Sequence, residues 1–156
     1  MFAAGCFWGV EATFRQLDGV IDTAVGYSGG IAGDTSYREV CQGDTGHAEV
    51  VALSFDPEVI SYNKLLDAFW GCHNPTQLNR QGPDVGTQYR SAIYYMTHEQ
   101  KELAEASVSA LDASGQYSNV VVTEVSAAVQ FHMAEEYHQQ YLEKKGLVNC
   151  NMREAL

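Results

Sequence analysis

The 156-residue chain is short of positive charge: 9 lysines and arginines stand against 20 aspartates and glutamates, a formal net charge of −11. That balance argues against a polyanion such as nucleic acid, or an anionic membrane surface, as a partner. No stretch approaches the roughly 18 consecutive apolar residues of a membrane span, and no basic segment precedes a hydrophobic run as in a secretory leader. No membrane association and a cytoplasmic location are the resulting expectations. Internal repeats and low-complexity tracts are also lacking. The four cysteines, Cys6, Cys41, Cys72 and Cys150, show no CxxC spacing, and in a reducing cytoplasm a structural disulfide framework is not expected. His47-Ala48-Glu49 matches one half of the zinc deaminase motif, but the P-C-x-x-C half is missing. Cys72-His73 is too close in sequence for ordinary ligand spacing, so no metal is expected.

What is present alternates between strand and helix patterns. Strands are predicted to Ala4 and over Val20–Tyr27, Ala48–Phe55, Ser91–Met96 and Val120–Val125, with Gln130–Phe131 as a resumption of the last. Helices are predicted over Cys6–Leu17, from the Ser61 cap to Cys72, from the capping box Thr97-x-x-Gln100 onward, and over Ala134–Lys145 with Gly146 as its cap. The expected fold is α/β (α+β): a single-domain two-layer sandwich with a mixed sheet covered by helices. One catalytic domain, 1–156, accounts for the length, which buries roughly two-thirds of the unfolded surface. Residues 147–156 read as a flexible C-terminal tail. Two long loops, 28–46 and 73–88, interrupt the pattern, the first with one possible helical turn at Tyr37–Cys41. Loops above about 12 to 15 residues in compact domains tend to be functional.

Chemistry is suggested first by Gly5-Cys6-Phe7-Trp8-Gly9, which sets a thiol where an apolar strand gives way to an amphipathic helix. Helix N-termini favour negative charge, and thiols there commonly have depressed pKa values. Cys6 is thus a candidate nucleophile, or else a small buried residue closing the turn. Period-two alternation puts Glu49 on the face of Val51, Leu53 and Phe55. Facing the core it would be desolvated and protonated, and a neutral carboxylic acid can donate a proton. At the sheet rim it would instead reach water. Asp84 and Tyr89 could orient a polar substrate or fasten their loop, and Tyr37 carries the same ambiguity. His138 reads as a surface or packing histidine. Gly26-Tyr27-Ser28-Gly29-Gly30 lacks phosphate-loop spacing and reads as a turn. Cys150 could swing onto an oxidised partner thiol or be a bystander in the tail.

Taken together, these segments resemble the A-type peptide methionine sulfoxide reductases along nearly the whole chain. The matching strings are Gly5-Cys6-Phe7-Trp8-Gly9, Gly26-Tyr27-Ser28-Gly29-Gly30, Thr45-Gly46-His47-Ala48-Glu49, Asn74-Pro75-Thr76-Gln77-Leu78-Asn79-Arg80-Gln81-Gly82, Asp84-Val85-Gly86-Thr87-Gln88-Tyr89-Arg90-Ser91 and Ala134-Glu135-Glu136-Tyr137-His138-Gln139. The resemblance implies Cys6 as nucleophile on the sulfoxide sulfur, with Phe7 and Trp8 as the pocket for the methyl group. Glu49, Tyr37 and Tyr89 match the donors to the sulfoxide oxygen, and Asp84 the substrate-orienting aspartate. It further implies a Cys6 sulfenic acid, its condensation with Cys150 as resolving cysteine, and thioredoxin as external reductant with no bound cofactor. The substrates would be the S epimer of methionine sulfoxide, free or in oxidised proteins, and the enzyme a monomer. The family often has His-Asp-Pro-Thr where this chain has His73-Asn74-Pro75-Thr76. Cys72 is expected to be inert, and Cys41 is a possible competitor of Cys150. The alternatives are a Cys-His hydrolase or acyl transferase using His47 or His138 as base to Cys6, and a non-catalytic methionine-binding module.

Overall fold

A computed structural model describes residues 1–30, 36–43 and 45–146. Its centre is β1 (Phe2–Ala4), whose residues are all buried. This strand is flanked antiparallel by β3 (Ala48–Phe55) and β6 (Ser91–Tyr95). Outward from β3 lie β2 (Val20–Ser28) and β8 (His132–Met133). Outward from β6 lies β7 (Glu124–Ala127), the one parallel neighbour, reached through α4 (His98–Ala113). The sheet is therefore mixed, as expected.

Helices cover one face. On it Phe2, Val25, Tyr27, Val51 and Ile93 meet Phe7, Val10 and Phe14 of α1 (Phe7–Arg15) and Leu65, Leu66 and Phe69 of α3 (Tyr62–Gly71). Phe2 stacks on Phe14 with ring centroids 5.0 Å apart and lies 5.3 Å from Phe69. Local sequence starts these helices: the hydroxyl oxygens of Ser61 and Thr97 accept from the main chain of Lys64 and Gln100. The opposite face is small-residue rich (Ala3, Ala48, Val50, Ala92, Tyr94) and is covered by Ala128 and Phe131.

Three predicted elements differ. The strand assigned to Val120–Val125 begins only at Glu124, because Val121 N donates to Asp112 Oδ1 and Val122 N to Pro75 O instead of to β6. After a break the chain resumes as strand at His132–Met133, not Gln130–Phe131, and on the other edge of the sheet against Gly26 and Tyr27. The four intervening residues reach about 17 Å at full extension, whereas six flat strands would span roughly 24 Å, so the sheet is curled. The helix predicted over Ala134–Lys145 is instead a 3-10 turn at Glu136–His138, an extended Gln139, a left-handed Gln140 (φ 53°) and a short α5 (Tyr141–Lys144). Tertiary hydrogen bonds replace helical ones there. Gln139 grips Val25, accepting its N–H at Oε1 (2.9 Å) and donating Nε2–H to its carbonyl (2.8 Å). Gly146 (φ 74°) does end the segment. Within the long loops, α2 (Tyr37–Cys41) forms as predicted, and 73–88 contains a hairpin of β4 (Arg80–Gln81) and β5 (Asp84–Val85). The tail 147–156 and Cys150 lie outside the described residues.

Candidate active site

Cys6 is the residue that starts α1, with an extended backbone (φ −56°, ψ 121°), and it is partly exposed. Ahead of it Gly5 takes φ 96°, a conformation that glycine alone adopts cheaply. A Cβ there would lie 2.8 Å from Gln81 Cγ. Gln81 is buried and clamps Asn74, accepting its N–H (3.0 Å) and donating to its carbonyl (2.8 Å). The strand-helix turn and the 73–88 loop are thereby keyed together. No acidic residue occupies the first turn of α1, so its N-terminal field at Cys6 is not neutralised from within the helix.

Glu49 does face the core, 2 % exposed. Its Oε1 accepts from Phe7 N (3.2 Å), the first amide of α1, and its buried Oε2 has no hydrogen-bond partner among the described residues. Burial pushes the carboxyl up to about 8, partly offset by the Phe7 amide and reinforced by Asp84. At neutral pH the group is a protonated acid one residue along from the thiol, and it adds no negative charge against a Cys6 thiolate.

Around this pair the two loops deliver hydroxyls. Tyr89 closes the 3-10 turn Thr87–Tyr89 after the hairpin. Burial, then Glu49, Cys41, Asp84 and Cys6, push its phenol up to about 12. Tyr37 opens α2; burial raises its pKa, with its hydrogen bond to Cys41 and the nearby Tyr89 and Glu49 adding to the effect. Both phenols stay protonated and can donate. Asp84 is half-buried on β5 and acts on both Glu49 and Tyr89.

The aromatic side of the site departs from a simple Phe7/Trp8 wall. Phe7 is 1 % exposed, wedged between Tyr27 (5.8 Å) and His138 (5.1 Å), and so lies beneath the surface. Trp8 is the accessible ring. It stacks on Tyr141 at 3.8 Å and 10°, and its Nε1–H donates to His138 Nδ1 (2.9 Å). His138 is therefore a buried support, and burial lowers its pKa despite Glu135. With Nδ1 accepting, the neutral ring carries its proton on Nε2, which has no partner among the described residues. As a base to Cys6, His138 would have to give up Trp8. His47, the other histidine considered, accepts Gly30 N–H at Nδ1 (3.0 Å) and lies against His132.

Sequence reasoning missed Glu135, Tyr141 and Glu11. Glu135 accepts from Tyr37 N (3.3 Å), Tyr27 Oη (3.3 Å) and Tyr137 Oη (3.2 Å). Burial would raise this carboxyl, but the hydrogen bonds outweigh it and hold it below the usual value. No local pattern marks these residues, since Glu135 reaches Tyr37 across 98 positions, Glu11 reaches Gln140 across 129, and Tyr141 stacks on Trp8 from the far end of the chain. Cys72, half-buried at the end of α3, donates to Phe69 O (3.2 Å), whereas Cys41 is exposed at the end of α2. Among the described residues no group of three or more His, Cys, Asp or Glu could hold a metal ion. No helix there is long and apolar enough to cross a membrane.

A thiol at a helix start beside a protonated acid and two phenols suits attack on a polar, oxygen-bearing electrophile, the chemistry of a thiol-dependent oxidoreductase. The sequence profile of the peptide methionine sulfoxide reductases matches residues 1–156. The peptide methionine sulfoxide reductase MsrA of Methanosarcina acetivorans is 57 % identical over 152 residues, covering 97 % of this chain and 81 % of that protein. That of Acidobacterium capsulatum is 56 % identical over 151 residues, covering 97 % of each. Among solved structures, reduced Mxr1 from Saccharomyces cerevisiae superposes with a TM-score of 0.83 at 39 % identity over 93 % of this chain and 83 % of that one. Methionine sulfoxide reductase A of Corynebacterium diphtheriae gives 0.83 at 38 % identity over 96 % and 75 %. The chain belongs to the peptide methionine sulfoxide reductase family, A type.

Proposed function

We propose that Cys6, Glu49, Tyr37 and Tyr89 carry out the reduction of methionine S-sulfoxide that defines this family. The observation that carries the reading is the buried, protonated Glu49 hydrogen-bonded to the amide next to Cys6. The Cys6 thiolate attacks the electrophilic sulfur while Glu49 gives its proton to the sulfoxide oxygen, with the two phenols donating to the same atom. The hydroxyl then passes from the substrate sulfur to the Cys6 sulfur as the S–O bond and the transient sulfur–sulfur bond both break: methionine leaves, and Cys6 becomes a sulfenic acid. Trp8, over Phe7, bounds the methyl group, and Asp84 orients the rest of the substrate. Cys150 condenses with the sulfenic acid, forming a disulfide and releasing water, and thioredoxin or a dithiol returns both thiols in a reducing cytoplasm. Protein-bound and free sulfoxide both meet the chemical requirement, and a monomer suffices.

The test is a single turnover of the fully reduced enzyme, without reductant, on separated S and R methionine sulfoxide. One methionine and two thiols lost per enzyme, from the S epimer only, is the expected result. No methionine from either epimer sinks the reading.

A further inference from the structure

Glu11 is 1 % exposed and lies one helical turn beyond Phe7 on α1, where its hydrogen bonds run to Gln140 and Thr23. Its Oε1 accepts Gln140 N–H at 2.6 Å and its Oε2 accepts the Thr23 hydroxyl at 2.7 Å. Thr23 Oγ1 in turn accepts from Arg15 Nη1 (3.2 Å). Burying a carboxyl group is costly unless both oxygens are satisfied, as they are here. The donating residue, Gln140, is held in the left-handed region at φ 53°, where a side-chain-bearing residue is disfavoured. Its immediate neighbours are the supports of Trp8. Two residues before is His138, which receives the indole N–H, and one residue after is Tyr141, which stacks on the indole.

We propose that Glu11 is a positioning residue for the substrate pocket: its carboxyl latches the Gln140 turn to α1 and so sets Trp8 between His138 and Tyr141. The latch joins the helix that carries Cys6, Phe7 and Trp8 to the segment, distant in sequence, that grips Trp8 from outside. Without it, the Gln140 amide and Thr23 hydroxyl lose their acceptor, the strained turn relaxes, and the indole loses both partners. The neighbouring Arg15–Glu143 pair (3.0 Å) joins the same two elements at the surface and does not contribute to this effect.

The inference rests on Trp8 bounding the substrate, so the experiment includes Trp8→Ala. Steady-state and single-turnover kinetics on methionine S-sulfoxide are measured for the wild type, Glu11→Ala, Trp8→Ala, the double variant and Glu143→Ala. Glu11→Ala is expected to raise KM roughly tenfold with the single-turnover rate at saturating substrate within about threefold. In the double variant KM equals that of Trp8→Ala alone, because Glu11 acts through the indole. Glu143→Ala leaves KM unchanged. A Glu11→Ala enzyme with wild-type KM and only a lowered Tm, or additive effects in the double variant, overturns the latch. If Glu11→Ala does not fold, Thr23→Val removes one support with little change of volume; it is then expected to raise KM about threefold, and an unchanged KM overturns the proposal. Trp8→Ala with wild-type KM refutes the pocket assignment, and an inactive wild type refutes the reductase reading itself.

Discussion

Glu49 shows what a single residue draws from its surroundings. Alternation along β3 left Glu49 either inward or at the sheet rim; the structure places it inward and supplies the cause of its protonation: 2 % exposure and one oxygen unpartnered among the described residues. An unfolded Glu49 gives up its proton near the ordinary 4.5, whereas the folded one holds it to about 8. Between those values the native state binds more protons, so this group's contribution to stability falls as pH rises from about 4.5 and levels off above about 8. Denaturant melts of Glu49→Gln against pH are expected to lack that component of the slope. In the reaction, the same substitution keeps a hydrogen-bond donor but removes the transferable proton. Single-turnover methionine formation should drop by about 10²- to 10⁴-fold, and the decline expected of the wild type above about pH 8 should be absent. An unchanged rate would reassign the proton donor, leaving Tyr37 or Tyr89 to fill the role.

At the scale of elements, the informative places are where a pattern gives out. The start of α1 was legible because an apolar strand, a glycine and an amphipathic repeat follow one another in a few residues. Gly5→Ala tests how far the position of Cys6 depends on that turn. The substitution puts a Cβ within 2.8 Å of Gln81 Cγ at φ 96°. A loss of about 1–3 kcal/mol in a urea melt is expected, together with slower alkylation of Cys6 as the helix start is displaced. Wild-type stability and alkylation rate would show that the turn is more yielding than its contacts suggest. The predicted final helix failed for the opposite reason. Residues 134–145 have helical composition, but their hydrogen-bonding groups found better partners far away: Ala134 N donates to Val25 O, Gln139 grips Val25, and Gln140 N reaches Glu11. Local periodicity carries no information on such competition.

For the whole molecule, the question is how a site assembled from β1/α1, α2, β3 and the β4–β5 hairpin completes a cycle. Cys150 was assigned from resemblance and lies outside the described residues, so its role is a matter for experiment. Cys150→Ser is expected to release one methionine per enzyme and then stop, with no thioredoxin-driven cycling. Undiminished cycling would reject the assignment and turn attention to Cys41, which is exposed and interacts with both Tyr37 and Tyr89.

The amino-acid sequence by itself determined the alternation of strands and helices, the thiol at a helix start and the sheet face on which Glu49 lies, because each follows from periodicity or capping within about ten residues; that this face is buried at Glu49 came from the structure. The motifs also carried the family resemblance, with the acid and the two tyrosines of the site. Tertiary structure alone decided that β7 and β8 take opposite edges of a curled sheet, that Phe7 is buried against Tyr27 and His138, and that His138 holds the indole. It alone brought Glu11 to Gln140 and Glu135 to Tyr37, across 129 and 98 positions of chain. Contacts of that range depend on which buried polar group finds a partner once the core has formed, and neither propensity nor spacing encodes that choice.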